Sequence, residues 1–518
     1  MIKLLTSYLD IAGYGLYSKI YNFLSIFAVI ADLGLYTITV RELSNNQDDP
    51  KMVEKISSNV LTLRTFSGLL ILLLSLSIGY FLDGYNSREW LIGIGIASIF
   101  TLLGLINSSL MSYLQSILKT EFSIIANTLG KMLTLGMIIL FASLVWWTTH
   151  TERFTLVMIA GLAGNLLMTI LTWWYANRWH RVRFWWDSEY IRYILRISLP
   201  YGLALFLNVI FFKVDTILLS IMEPRSIADS VIALYALPMK IVEVGMMYGT
   251  VFLNSFLPVL TDTFKKEREN KEMTLVNPTA RSWLDMNEVT SRRSLGHEDP
   301  SFTILDDNIR ASHSEHRTSK VLIQQAFTIL LFFGIGISGF LYLTRDLVTR
   351  IISTPSFVTT MIHGYSSIDA MAIVVWIFLF YFISSLATYI LIAHGRQRSM
   401  MIVNAGIAFF NVVGNILVIP HYSFIGSAIV TLISQIFLVI ATWYLVRWDL
   451  IIRDILTKNL RILILWLIAW LGGYTMWMLF PPLGTMNMVE SIEWLILIGW
   501  TFGIIYLGGF FMMRKMMK

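Results

Sequence analysis

The 518-residue chain contains no cysteine, which excludes disulfides, iron–sulfur clusters and zinc sites built on thiolates. Charged residues are also scarce. They make up 14% of the chain, whereas soluble domains carry about 25%. Hydrophobic residue types account for 56% of the sequence, and the mean hydropathy is +0.67. A chain so poor in charge cannot cover a water-facing surface, so we expect most of it to lie within a membrane.

Sequence motifs of phosphate and metal chemistry are missing as well. No Gly-x-x-x-x-Gly-Lys-Ser/Thr loop and no His-Glu-x-x-His pair occurs. The longest external loop expected from the apolar pattern, at about 345–367, is short for a catalytic region of a membrane glycosyltransferase, ligase or polymerase. We therefore predict a transporter rather than an enzyme, with no cofactor, no metal site and no nucleic-acid partner.

Apolar segments long enough to cross the hydrocarbon core, which takes about 20 residues, occur thirteen times. They predict an all-α, polytopic bundle of transmembrane helices. The predicted spans are 14–38, 59–82, 90–113, 122–147, 154–177, 199–222, 230–260, 321–344, 368–393, 399–419, 423–446, 460–481 and 491–513.

The distribution of Lys and Arg predicts the orientation of the bundle. Most of the basic residues in short loops fall in one alternating set, and such loops stay in the cytoplasm. This set comprises 41–57, 114–121, 178–198, 394–398, 447–459 and the C-terminus. The sequence thus predicts a multi-pass protein of the cytoplasmic membrane with an external N-terminus and a cytoplasmic C-terminus.

One segment differs in kind from the apolar spans. Residues 261–320 are rich in both acidic and basic side chains, and such a composition cannot bury enough apolar surface to fold alone. We expect a disordered cytoplasmic insertion there, with a regulatory or partner-binding loop as the alternative.

Four stretches resemble the polysaccharide-biosynthesis flippases, which are lipid-linked oligosaccharide exporters. This family shares a superfamily with the multidrug and toxin extrusion antiporters. No single motif is diagnostic, but the order and spacing of the stretches agree with the family along nearly the whole chain. They are Gly13-Tyr14-Gly15-Leu16-Tyr17 with Ala31-Asp32-Leu33-Gly34-Leu35 and Val40-Arg41-Glu42; Pro200 with Lys213–Leu219; Tyr235–Lys240 through Pro258; and Asn404–Asn415 with Ile419–Ala428.

The resemblance implies two six-helix lobes related by a pseudo-twofold axis, with the family's first helix apparently missing. It divides the chain into an N-terminal lobe 1–177, a basic linker 178–198, a C-terminal lobe 199–446 and an extra helix pair 447–518. It also implies a monomer that binds a lipid-linked oligosaccharide and membrane lipids, with a glycan polymerase or glycosyltransferases as further partners.

Ionisable residues deep in the predicted spans are the candidate functional groups, because each costs about 2.5–3.5 kcal/mol on insertion scales. One interpretation is structural: Asp215–Lys240 or Lys213–Glu243 pairs would join two helices, and Arg64 would reach the interface. The other is a cationic cavity that binds the diphosphate of the lipid carrier. The cations are Lys213, Lys240, Lys131 and Arg64, and the acids, candidates for proton or sodium coupling or for gating, are Asp32, Asp215 and Glu243.

Three asparagines, Asn404, Asn411 and Asn415, share one face of a predicted span. They are candidates for interhelical hydrogen bonds or for contacts with sugar hydroxyls. The leading function is a flippase for a polyprenyl-diphosphate oligosaccharide. An ion-coupled multidrug-type exporter and a lipid II flippase of the same superfamily are the alternatives, and the cationic bias of the deep residues favours an anionic lipid-phosphate cargo.

Overall fold

A computed structural model describes residues 1–516 except 47, 82–84, 86, 145–148, 180, 277–299, 447–463, 473 and 476–487. These residues form α-helices and no strand. The helices are α1 (Ile2–Tyr8), α2 (Ile11–Asp32), α3 (Leu35–Asn45), α4 (Pro50–Phe81), α5 (Arg88–Ser116), α6 (Thr120–Leu144), α7 (His150–Ala176), α8 (Ser188–Met222), α9 (Ala228–Val276), α10 (Pro300–Leu343), α11 (Arg345–Ile352), α12 (Ser356–Thr359), α13 (Ser367–Ala393), α14 (Gln397–Leu445) and α15 (Met488–Met516).

Eleven helical segments of the described residues are long and apolar enough to cross a membrane. The segment at Arg398–Leu445 covers two predicted spans. These segments confirm the helical bundle expected from hydropathy. The predicted span 460–481 lies largely outside the described residues, although 464–472 are helical.

The long helix α14 reverses direction at Ser423, whose φ of 51° lies in the left-handed region. Pro420 precedes the bend by three residues and cannot donate its backbone hydrogen bond. Beyond the turn the chain returns to the start of the helix. The evidence is a hydrogen bond of 3.0 Å from Arg396 Nη1 to the carbonyl of Leu445. The two halves of α14 therefore form an antiparallel helix pair.

The lobes meet along α2, which packs against both α8 and α9. Glycines allow backbone-to-backbone contact at the two ends of this interface. A Cβ on Gly15 would lie 1.6 Å from the carbonyl oxygen of Asp229, and one on Gly202 would lie 2.4 Å from the backbone of Leu33. The second contact sits where α2 gives way to α3 through two left-handed residues, Leu33 and Gly34.

The polar segment 261–320 differs from the expected disordered insertion. Helix α9 continues past its apolar span to Val276, and α10 begins at Pro300, while 277–299 lie outside the described residues. The physical reason is helix cooperativity: extending an existing helix adds a hydrogen bond for each residue fixed, whereas starting a new one is costly.

Candidate functional site

A charged cluster joins α8 and α9 within the C-terminal lobe. Lys213 donates from Nζ to Oε1 of Glu243, and Lys240 donates to the other carboxylate oxygen at 2.9 Å. The exposed fractions of the side chains are 19% for Lys213, 26% for Glu243 and 53% for Lys240. Two ammonium groups thus share one carboxylate, which leaves a net positive and partly accessible site. We call these three residues the cationic cluster.

The second acid of this region, Asp215, is fully buried and makes different contacts. Its carboxylate accepts hydrogen bonds from the Tyr235 hydroxyl, from Thr431 Oγ1 at 3.3 Å and from the Thr216 amide at 3.1 Å. Of the two helix-joining pairs considered from the sequence, the structure contains Lys213–Glu243. The Asp215–Lys240 pair was wrong, because Asp215 turns into the lobe toward α14.

The asparagines of α14 extend this buried network. Asn411 donates to Thr431 Oγ1 at 3.5 Å and to Ser434 Oγ at 3.4 Å, and Asn415 donates to the Asn411 carbonyl at 2.9 Å. Both amides are fully buried, so a sugar cannot reach them in this conformation. Their contacts fit interhelical hydrogen bonding. Asn404, two turns earlier on α14, is half-buried and outside the network.

The N-terminal lobe holds an ion pair whose cation is fully buried. Arg64 of α4 is fully buried and donates to Asp32 of α2, which is 20% exposed. It also donates to Ser108 Oγ at 2.7 Å and to Ser109 Oγ at 3.3 Å on α5. The interpretation in which Arg64 reaches the membrane interface was wrong, because α2 and α5 supply partners for its buried guanidinium group.

The remaining cation of the predicted set, Lys131, lies apart from the cationic cluster. It is exposed on α6, a helix that packs mainly against α7. The structure therefore brings together Lys213, Lys240 and Glu243 and separates them from Arg64 and Lys131.

Sequence reasoning missed a contact between the lobes. Lys19 of α2 is buried, and its Nζ lies 3.3 Å from Oδ1 of Asp229 at the start of α9. The same ammonium group lies 4.5 Å from the centroid of the Tyr85 ring. Nearby, the Asn22 amide donates to Thr216 Oγ1 at 3.0 Å. The sequence signal that could have drawn attention to Asp229 is its place in the first turn of α9, where the helix dipole stabilises negative charge.

Comparisons with known proteins agree with this architecture. The family described as "Polysaccharide biosynthesis protein" matches residues 1–264, which is about half of the chain. A structure of the lipid II flippase MurJ in an inward closed conformation is similar over 98% of both chains, with a TM-score of 0.61 at 15% identity.

An inward-facing multidrug resistance MATE family transporter of the MOP superfamily is similar over 86% of this chain and 92% of its own, with a TM-score of 0.60 at 13% identity. At these identities the likeness shows a shared fold. A search of curated protein sequences found no match.

Proposed function

The chain belongs to the polysaccharide biosynthesis protein family, and it has the helical fold of membrane transporters and flippases. From this premise we propose that it moves a polyprenyl-diphosphate-linked oligosaccharide across the cytoplasmic membrane by alternating access. The C-terminus lies in the cytoplasm, and glycosyltransferases that build the glycan on the inner leaflet supply the substrate.

The observation that carries this proposal is the cationic cluster. A diphosphate group brings two or more negative charges, and ammonium groups can replace part of its hydration shell through charge-assisted hydrogen bonds. Lys213 and Lys240 sit on α8 and α9, the two helices that α2 of the other lobe contacts. A site between lobes is where alternating access requires the cargo to bind.

The cluster also indicates how the cargo could be admitted. In its absence Glu243 balances part of the positive charge of the two lysines. An arriving diphosphate competes with Glu243 for both ammonium groups, so binding exchanges one ion pair for stronger ones. Glu243 therefore acts as a gating residue.

Lipid II carries a diphosphate too, so a lipid II flippase also fits the cluster. A multidrug exporter for cationic compounds fits it less well, because the net charge of the cluster repels a cationic cargo.

We assign ion coupling to Asp215 rather than to Asp32 or Glu243. The last two are paired with Arg64 and with two lysines, whereas Asp215 has only hydroxyl and amide partners. A buried carboxylate without a cationic partner is costly to keep ionised, so it favours a bound proton or a hard cation held by oxygen ligands. Asp215→Asn should remove the dependence of transport on the coupling ion while leaving the protein in the membrane.

Tests of Asp215 use proteoliposomes with an imposed sodium or proton gradient. A variant whose transport still follows the gradient would place coupling elsewhere. Asp32→Asn is less suitable as a comparison, because it removes the negative charge that balances the buried Arg64. Thr431→Val offers a milder comparison, since it removes one hydrogen bond from Asp215 and keeps the carboxylate.

The function itself is tested by charge reversal. Lys213→Glu combined with Lys240→Glu should abolish export, and lipid-linked sugar should accumulate on the inner leaflet of cells that make the variant. Lys240→Arg keeps the charge and should keep export, and Lys131→Glu reverses a lysine far from the cluster. Normal export by the doubly reversed protein, at wild-type abundance in the membrane, would reject the proposed cargo site.

A further inference from the structure

Beyond the cationic cluster, toward the C-terminal end of α9, lies a group of aromatic and polar side chains from three helices. The Tyr389 hydroxyl of α13 donates to Asn254 Oδ1 of α9 at 2.6 Å. One turn away, the hydroxyls of Thr250 and Tyr381 are 3.0 Å apart. Tyr201 of α8 lies within electrostatic range of Tyr389. We call these five residues the tyrosine wall.

The tyrosine wall continues the face of α9 that points toward the N-terminal lobe. Asp229 marks this face, because it contacts Gly15 and Lys19 of α2. Positions 11 and 25 residues later, Lys240 and Asn254, return to nearly the same side of a helix with 3.6 residues per turn. One stripe therefore carries the contact with α2, then the cationic cluster, then the tyrosine wall.

The wall leaves several of its polar groups open to a ligand. Asn254 and Tyr201 are exposed, and Thr250, Tyr381 and Tyr389 are half-buried. Polar groups at bilayer depth face a cavity or a partner rather than lipid, because lipid cannot hydrogen-bond to them. The direction of the stripe points to the space between the lobes, and so does Tyr201, whose ring would lie 2.8 Å from a Cβ on Gly34 of the N-terminal lobe.

The chemistry of the wall differs from that of the cluster. Residues 244–260 of α9 and 201–212 of α8 include no Asp, Glu, Lys or Arg. A neutral surface offers a diphosphate no charge-assisted hydrogen bonds. Tyrosine rings offer flat apolar faces with a polar edge, and Asn254 keeps its amide nitrogen as a donor after its oxygen accepts from Tyr389. Pyranose rings, which have apolar C–H faces and hydroxyl rims, match this combination.

Spacing relates the two sites to one cargo. Asn254 follows Glu243 by 11 residues, which is about 16 Å along a helix at 1.5 Å per residue. We propose that the tyrosine wall is a subsite for pyranose rings that lie several sugars away from a diphosphate held on the cationic cluster. This inference rests on the proposed function. It assigns the sugar contacts to the tyrosine wall rather than to Asn411 and Asn415.

The experiment measures binding of three synthetic lipids to the purified full chain in nanodiscs. The probes are undecaprenyl diphosphate alone, the same lipid with one N-acetylglucosamine, and the same lipid with a chitotetraose chain. The wild-type chain should bind the tetrasaccharide lipid about tenfold more tightly than the other two, because only a long glycan reaches the wall.

Substitutions at the wall should remove this gain alone. Tyr389→Leu with Asn254→Leu should bring the tetrasaccharide lipid down to the affinity of bare undecaprenyl diphosphate, whose own affinity should stay unchanged. Tyr389→Phe, which keeps the ring and loses the hydroxyl, should give an intermediate result. Tyr444→Leu is the matched control, because Tyr444 is a highly exposed tyrosine on α14 outside the wall. Size-exclusion profiles and thermal unfolding verify that each variant folds.

The outcomes separate the two proposals. If the wild-type chain binds none of the lipids, the proposed function fails. If it binds all three equally, or if the wall variant keeps the gain, the glycan subsite is rejected while the function stands. If the wall variant weakens bare undecaprenyl diphosphate and the tetrasaccharide lipid by the same factor, the wall contacts the prenyl chain, and the glycan subsite is again rejected.

Discussion

The two lobes hold ion pairs of similar composition in opposite settings. In the N-terminal lobe, one arginine meets one carboxylate, the guanidinium group of Arg64 is fully buried, and two serines of a third helix accept further hydrogen bonds from it. In the C-terminal lobe, two lysines share Glu243, and all three side chains keep some exposure. The first pair is balanced and closed, whereas the second has excess charge and is open.

This difference shows that depth in the membrane does not by itself mark a functional charge. A charge-balanced pair with a buried cation holds helices together and leaves that cation out of reach of a ligand. A cluster with excess charge and partial access can exchange a partner. Charge balance and exposure, rather than the presence of a lysine or arginine, therefore separate the structural site from the candidate binding site.

The largest expected effect comes from breaking the closed pair. Asp32→Ala should leave the Arg64 guanidinium group buried without its counter-ion and lower the free energy of unfolding by about 3–5 kcal/mol. Glu243→Ala should have a smaller effect, because water reaches Lys240 and partly reaches Lys213. Thermal unfolding in detergent compares the two variants. Equal losses would contradict the distinction, and Asp32→Ala with Arg64→Leu should recover part of the stability.

A smaller effect is expected on ligand affinity, where a change in the C-terminal lobe should matter and a change in the N-terminal lobe should not. Glu243→Gln removes the carboxylate that competes for Lys213 and Lys240, so undecaprenyl diphosphate should bind about tenfold more tightly, which is about 1.4 kcal/mol. Asp32→Asn should leave this affinity unchanged in the fraction that folds. Native mass spectrometry of the purified protein measures both. Unchanged affinity in Glu243→Gln would mean that the lysines do not contact the diphosphate.

The smallest effect concerns an ion pair outside the membrane core. Asp187 caps the start of α8, and its carboxylate lies 2.6 Å from the Lys55 ammonium group. That hydrogen bond, aided by the backbone amides of Tyr190 and Glu189, lowers the pKa of Asp187 below its ordinary value of 3.8. Stability from this site is therefore present above about pH 4 and is lost as the pH falls through the lowered pKa.

Asp187→Asn should remove this pH dependence while changing the unfolding temperature at pH 7 only slightly, because pairs in contact with water contribute little. Unfolding temperatures of the two proteins at pH 3 and pH 7 provide the measurement. A large loss at pH 7 would show that the linker between the lobes depends on this pair more than its contact with water suggests.

The sequence was sufficient to predict the helical bundle, because hydropathy is a local property, and it named the ionisable residues of the spans as candidates. It could not determine the partners. Whether Lys213 meets Glu243, or Asp215 meets Lys240, depends on how α8 and α9 rotate against each other and against α14. Arg64 lies near a span end by sequence, yet the position of α5 buries it.

The contacts between the lobes were hidden for a related reason. Lys19 and Asp229 are 210 residues apart, and neither side chain carries a local pattern that points to the other. The tyrosine wall was also out of reach, because it assembles single residues from α8, α9 and α13. The hydrogen bonds Tyr389–Asn254 and Thr250–Tyr381 show that these residues share one surface.

The glycine contacts of α2 have a mechanical consequence. At Gly15 and at Gly202 the lobes touch through main-chain atoms, and at the Gly15 end the Lys19–Asp229 contact adds a long side chain. A lysine or arginine could follow a widening gap and keep its partner for several ångströms, but a peptide group cannot. The Gly202 end is therefore either in contact or apart, whereas Lys19 can follow Asp229 for several ångströms as the Gly15 end opens. In a rocking motion the Gly202 end would therefore lose its contact first, so the two ends of the interface need not open together.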